Sequence, residues 1–398
     1  MKTTNNNEQK IYCITVGALL SYLPLTDFLN NFFNVVLRFG TSLDTLLCYV
    51  VLWMLVLWPM YYIHKNIKRD ISVIFIVLLV AWFLSYGYLA GAEKPELFFT
   101  SWIDIHGNPF YIFFAYAFFG YVATRYITDY DLLQRVLVRF SVVVVVCSTM
   151  SFFLTLSSKF QAQYMVFSYN MTMQSVFLFL YYFEKRNPLH LVVGILGISM
   201  ILMAGCRGAI VCVLGCVLLY AFFGRMKMSK KILLVFVLAI AAVLVFINFY
   251  AILDYLIELA EEMKMSSRTL RLIQDGEFFE DSGRGKIQEQ IIEKFDVVGY
   301  GLYGDRIITK ENTYAHHLFL EIICHYGYML GIFLILVIMN TVFKGLFTKN
   351  SKIRFLVIVM LSTGLFKLFF SGSYLNQEPA FYVLLGLCVN AIVERRKR

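Results

Sequence analysis

Four arginines and a pair of histidines carry most of the chemistry that this chain offers. A fifth arginine, Arg207, stands apart from them in AGCRGAIVC, between two apolar runs and beside Gly205 and Gly208. An ionisable residue in such a place is costly and marks a functional site by default. An arginine satisfied by lipid phosphates would fit the same position. A guanidinium grips phosphate oxygens in pairs, so a pyrophosphate-linked lipid is a natural partner for it. Arg268, Arg271, Arg284 and Arg306 lie in the one long polar stretch, 255–315, and His316 and His317 follow it at the mouth of the next apolar run. Imidazole titrates near neutrality and suits proton transfer from a hydroxyl. Adjacent residues on a helix point about 100° apart, so only one of the two histidines can face a given pocket. Glu321 lies one turn past His317, placed either to orient it or to pair with a loop arginine.

Other chemistries fit poorly. The eight cysteines (13, 48, 147, 206, 212, 216, 324, 388) all fall in or beside apolar runs, so no disulfide framework or zinc site is expected in the polar stretch. Cys212 and Cys216 sit one helical turn apart in an apolar helix and read as packing. No HExxH pattern occurs, and His325 falls about two turns beyond the histidine pair, so no resident metal is expected. GYGLYG fits GxGxxG spacing but belongs to no βαβ unit, which removes a dinucleotide site. No cofactor is expected. Isolated carboxylates such as Asp27 and Asp44 receive no role, and Asp104 and His106 read as a solvated loop.

The elements that must position these residues are membrane helices. The chain of 398 residues is 60% hydrophobic and only 15% charged, with a mean hydropathy of +0.70. Soluble domains have about 45–50% apolar and about 25% charged residues. A spanning helix needs about 20 apolar residues, and about twelve segments qualify: 11–30, 43–63, 71–90, 109–128, 136–156, 165–183, 188–205, 208–224, 231–250, 324–343, 353–370 and 378–393. Phe98, Phe99 and Trp102 suit an interfacial turn within 91–108. The expected organisation is helices one to nine over 1–250, a large loop over 251–315, and helices ten to twelve over 316–398.

Charge supplies the sidedness. Lys65, Lys68 and Arg69 follow the second segment, Arg125 and Arg135 the fourth, and Lys185 and Arg186 the sixth. Arg225, Lys227, Lys230 and Lys231 follow the eighth; Lys344, Lys349, Lys352 and Arg354 the tenth; the chain closes on ERRKR. Every even-numbered exit is basic, so both termini are expected in the cytoplasm and 251–315 outside. The formal charge of +9 follows from this topology and does not indicate nucleic acid. Within the loop, Leu253, Leu256, Ile257 and Ala260 share one helical face, and a second short helix is expected at 285–295 through Ile287, Ile291, Ile292 and Phe295. VVGYGLYGD places three glycines within six residues, a turn that lets backbone approach closely. No matching pair of broken helices appears in the two halves, which weighs against an inverted-repeat transporter.

The order of these features resembles the O-antigen ligase/polymerase superfamily over roughly 190–345. An Arg-Gly pair opens a helix (CRGA), an external loop follows with SGR and a short helix, a GYG turn comes next, and AHHLFLEIICHYG enters a membrane helix. The family commonly has SRG where this chain has Cys206-Arg207-Gly208, and His-Asn where it has His316-His317, with Gly327 at the family's glycine spacing. The resemblance implies a multi-pass enzyme of the bacterial cytoplasmic membrane with a fold like the C-type glycosyltransferases. It implies metal-independent transfer of glycan from an undecaprenyl-pyrophosphate-linked donor to a lipid-linked acceptor, with a chain-length regulator as a further partner. By register, Arg207 and Arg284 would grip the donor pyrophosphate, and His316 would serve as base or position the acceptor hydroxyl. Arg268, Arg271, Arg306, His317 and Glu321 would assist in binding. A repeat-unit polymerase for capsule, exopolysaccharide or O-antigen is the leading reading, and a ligase onto lipid A core or another acceptor is the alternative. A flippase is the less favoured alternative, because few charges lie inside the bundle.

Overall fold

A computed structural model describes residues 6–32, 119–155, 164–204, 206–225, 231, 254–255, 257–258, 284–301, 304–309, 314–375 and 379–396. The regular elements among them are all helical: α1 (Asn6–Phe32), α2 (Phe119–Arg125), α3 (Tyr130–Thr155), α4 (Tyr164–Lys185), α5 (Pro188–Met203), α6 (Arg207–Phe223), α7 (Arg284–Glu293), α8 (Gly304–Ile308), α9 (Leu318–Leu346), α10 (Ser351–Leu361), a π-helical turn (Ser362–Phe366), α11 (Lys367–Phe370) and α12 (Pro379–Arg396). Four stretches among the described residues are long and apolar enough to cross a membrane: Asn6–Phe32, Tyr130–Leu154, Leu318–Leu346 and Ser351–Phe370. The segments expected at 43–63 and 71–90, the turn within 91–108, the first half of 109–128 and nearly all of 231–250 lie outside the described residues. So does most of the amphipathic stretch from 253, in which Asp254, Tyr255, Ile257 and Glu258 are helical.

Local sequence explains where several helices start and bend. Asn187 caps α5 by accepting from Leu189 N at 3.0 Å, and Pro188 supplies a preset first turn. Asn350 caps α10 in the same way through Lys352 N at 3.1 Å. Pro24 lies inside α1, so the carbonyl four residues back, Leu20 O, has no intrahelical donor. Gln174 on α4 donates to it at 2.9 Å. The proline thus converts a break in one helix into a fixed contact with another.

The core is built on α10, buried continuously from Phe355 to Leu361, and on α12 beside it. A helix that is apolar and buried all round must lie inside a bundle. α4 and α5 approach closely because Gly194 has no side chain: a Cβ there would meet Phe179 N at 2.6 Å. The outer half of the bundle surface is different. On α9, Met329, Phe333 and Leu336 are exposed, as expected of a face turned to lipid.

The bundle has two chemically distinct ends. At one end Gln9 accepts from Thr128 N, Asp131 pairs with Lys352, Asn350 bonds Glu394, Tyr220 donates to Glu184, and Arg125 donates to Asn390. Among the described residues, the basic exits at Arg125, Arg135, Lys185 and Lys352 share this end. At the other end Asn170 donates to Asp27 at 2.6 Å, Asn31 to Ser151 at 2.7 Å, and Arg284 to Phe370 O. Helix order therefore brings the candidate site residues to the end opposite the basic one.

Candidate active site

The site is organised by a broken helix. The sequence places a membrane segment at 324–343, but α9 begins earlier, directly after His317, and is interrupted at Gly327 (φ 77°, ψ 172°). In an unbroken helix Tyr328 N would donate to Cys324 O. Here Tyr328 N donates to Asp296 O at 3.1 Å, while Cys324 O accepts from Tyr300 N at 2.8 Å and His325 O from Gly301 N at 3.0 Å. The VVGYG segment inserts into the ladder and satisfies what the break exposes, which non-helical backbone at membrane depth requires. Gly299 lies against the backbone of His325 and Gly327, and Gly327 against Val297 O. A methyl at either position would force the two segments apart. Gly327→Ala also demands a left-handed backbone of an L-residue. It is expected to yield little folded protein, read as loss of the monodisperse peak in detergent size-exclusion chromatography.

Behind the break sits a buried polar cluster. Asp305 on α8 and Glu321 and His325 on α9 are each 1–2% exposed. His325 Nε2 meets Asp305 Oδ1 at 3.0 Å, and its Nδ1 shares a hydrogen bond with Tyr374 OH at 2.8 Å. Asp305 Oδ2 accepts from Ala315 N at 2.9 Å. Burial works against the Asp305 carboxylate, yet the facing His325 and Arg306 hold it below the usual range. Glu321 accepts from Ser373 Oγ and, at 3.3 Å, from Tyr374 N. The cluster ties the short helix α8 and the segment after α11 to the first half of α9. Asp305, Glu321 and His325 bring one donor atom each within 4.8 Å of one another, a set suited in type to a divalent cation. Those donors are already engaged with protein partners.

The histidine pair divides in role. His316 takes a left-handed backbone (φ 53°), a strained state for a non-glycine residue that is typical of functional positions. Its ring lies 4.0 Å from that of Tyr314. Burial, then the nearby Arg284 charge, lowers its pKa to about 4, with Asp305 opposing. His317 packs on Phe319 and Phe369 with ring centroids at 5.8 and 5.5 Å, and burial lowers its pKa too. Both Nδ1 atoms are buried and lack a hydrogen-bond partner among the described residues. Only His316 feels Arg284 and Asp305.

Arg284 opens α7 and donates to Phe370 O at the end of α11. Its charge also reaches Cys206 and Tyr169. Tyr169 OH abuts Gly208, next to Arg207, the first residue of α6. Arg207, Arg284 and His316 are thus drawn to one end of the bundle. Arg306 is buried beside Asp305, away from solvent. Arg268 and Arg271 lie outside the described residues. Glu321 meets His317 through the backbone alone, donating its N–H to His317 O at 3.0 Å; its carboxylate turns to Ser373 and lies in the field of Arg306. Sequence reasoning missed Asp305 and Tyr374, whose partners are distant in the chain. It also missed Lys367, which stands over the Tyr169 ring at 5.3 Å. A lysine inside LSTGLFKLFFSG was a legible signal, as an ionisable residue in an apolar run.

Residues 191–336 match the family model described as O-antigen ligase, and the chain carries that family's domain over this span. The match runs from α5 through the broken helix and so contains Arg207, Arg284 and His316. No curated protein and no solved structure matches the chain.

Proposed function

We propose that the O-antigen ligase family domain of this chain transfers glycan from a polyprenyl-pyrophosphate donor to a sugar hydroxyl at the outer face of the cytoplasmic membrane, as a repeat-unit polymerase. The observation that carries this reading is the convergence of Arg284 with His316 and with the start of α6. A helix N-terminus attracts anions through its unpaired N–H groups and dipole, and α6 presents Arg207 at that point. Arg207 and Arg284 bind the donor's pyrophosphate there. The basic end of the bundle faces the cytoplasm, with both termini, and the site faces outward. The remaining helices of a twelve-span, C-type-like architecture complete the bundle.

In the transfer step the acceptor hydroxyl oxygen attacks the anomeric carbon, and the bond from that carbon to the pyrophosphate oxygen breaks in line. The hydroxyl proton passes to His316, and the electron pair leaves with polyprenyl pyrophosphate, whose charge the arginines stabilise. His316 is neutral at physiological pH, so its lone pair is available. Donor phosphate on Arg284 offsets the charge that depresses His316, which strengthens the base when substrate is bound. No metal takes part in this mechanism.

Reconstitution with purified lipid-linked repeat units tests the proposal. Wild-type protein should form polymer ladders, His316→Ala should not, and EDTA should leave ladders intact. Strict metal dependence would refute the arginine mechanism and turn attention to Asp305, Glu321 and His325. A deletion strain separates polymerase from ligase. Accumulated single lipid-linked units support the polymerase, and full-length unligated polymer supports the ligase.

A further inference from the structure

Away from the arginines, the same end of the bundle holds a cavity of ≈ 140 Å³ between α1, α3 and α4, its wall part polar and part apolar. Its wall includes Asp27, Asn31, Ser148, Ser151, Phe167 and Asn170. A buried water needs about 10–15 Å³, so the space is roughly ten times larger than one water requires. Polar side chains inside a helix bundle are costly and often serve as interhelical glue. Glue closes the space between its partners. Here the Asn170–Asp27 and Asn31–Ser151 bonds hold the side chains at the wall and leave the cavity between them.

The lining selects a class of ligand. Amides, hydroxyls and one carboxylate offer both donors and acceptors, with Phe167 as an apolar face. Asp27 is the one ionisable side chain of that wall among the described residues, and its carboxylate repels phosphate. This combination suits a neutral sugar residue. The cavity shares Pro24 and Asn170 with a smaller one of ≈ 40 Å³ that is lined by Tyr169, Gln174 and Lys367. Gln174 is 2% exposed, and its Oε1 has no hydrogen-bond partner among the described residues. Tyr169 in turn abuts Gly208 beside Arg207. Asn170 and Tyr169 therefore link the cavity to the proposed pyrophosphate site.

We infer that this cavity holds the terminal, non-reducing sugar of the acceptor glycan, with Asp27, Asn31 and Asn170 bonding its hydroxyls. The inference rests on the glycan-transfer reading and assigns the acceptor to α1, α3 and α4, which lie outside the 191–336 domain. Placement there leaves the arginines to the donor, and the attacking hydroxyl of that sugar is directed past Tyr169 toward the anomeric carbon.

Binding to protein in lipid nanodiscs tests it, using two probes: repeat-unit oligosaccharide freed from its lipid by mild acid, and undecaprenyl pyrophosphate. Asn170→Leu should weaken oligosaccharide binding by about tenfold, the size of one or two lost hydrogen bonds, and leave undecaprenyl pyrophosphate binding within about twofold. Val166→Trp guards against misfolding, since Val166 lines the cavity yet is 53% exposed; it should block oligosaccharide by bulk alone. Unchanged oligosaccharide affinity in both variants, or no oligosaccharide binding to wild-type protein, overturns the inference. Failure of wild-type protein to bind undecaprenyl pyrophosphate would instead overturn the transferase reading.

Discussion

Arg284→Ala is expected to lower the transfer rate by about a hundred- to a thousandfold, the usual effect of deleting one preorganised donor to a developing anion. The side chain is fixed at the start of α7 by its bond to Phe370 O, so its charge is in place before substrate arrives. Arg284→Lys should recover only part of the loss, because an ammonium lacks the planar fork that spans two phosphate oxygens. A lysine variant with wild-type turnover would remove Arg284 from the donor site.

The same residue is expected to set the pH profile. His316 lies at about 4 against an ordinary value of 6.5, first through burial and then through Arg284. A lowered histidine pKa means that the unfolded chain binds a proton before the folded one does. The stabilising contribution of neutral His316 is therefore complete above pH 6.5 and drains away as pH falls to about 4. The acid limb of kcat/KM, which reports the free enzyme, should accordingly fall well below pH 6.5. Arg284→Gln should move that limb upward, and Arg284→Lys should leave it in place. A limb indifferent to both changes would uncouple the two residues.

Asp305→Ala is expected to destabilise the fold without abolishing it. Removing one partner of a buried hydrogen-bonded pair leaves the other unsatisfied, at a cost of about 1–3 kcal/mol for each stranded group. Here it strands His325 and also deprives Ala315 N of its acceptor. Thermal unfolding in detergent should show a large fall in Tm. Changing both partners, as in Asp305→Leu with His325→Phe, should cost less than the sum of the single changes. Additive losses would mean that the two side chains act separately.

Particular residues show how much was legible. The start of α6 at Arg207, the short helix near 285–295 and the boundaries of α5 were readable, because caps, glycines and apolar periodicity act over a few residues. The three glycines of GYGLYG announced a close backbone approach but not its target. That target, the interrupted ladder at Gly327, emerged only when 296–301 was seen lying against 324–328. Asp27 looked like an isolated carboxylate in the sequence. In the fold it faces Asn170, 143 positions away.

Sequence by itself determined the membrane character of the chain, the alternation of basic exits and the inventory of arginines and histidines, because hydropathy and charge are sums over neighbouring residues. Tertiary structure decided which histidine meets Arg284, where Glu321 turns, and that Asp305 pairs with His325 across 20 positions and His325 with Tyr374 across 49. It also opened the cavity between α1, α3 and α4. These are distances between segments that the chain order leaves independent, and only the packing of the helices, together with the break in α9, brings them to definite values.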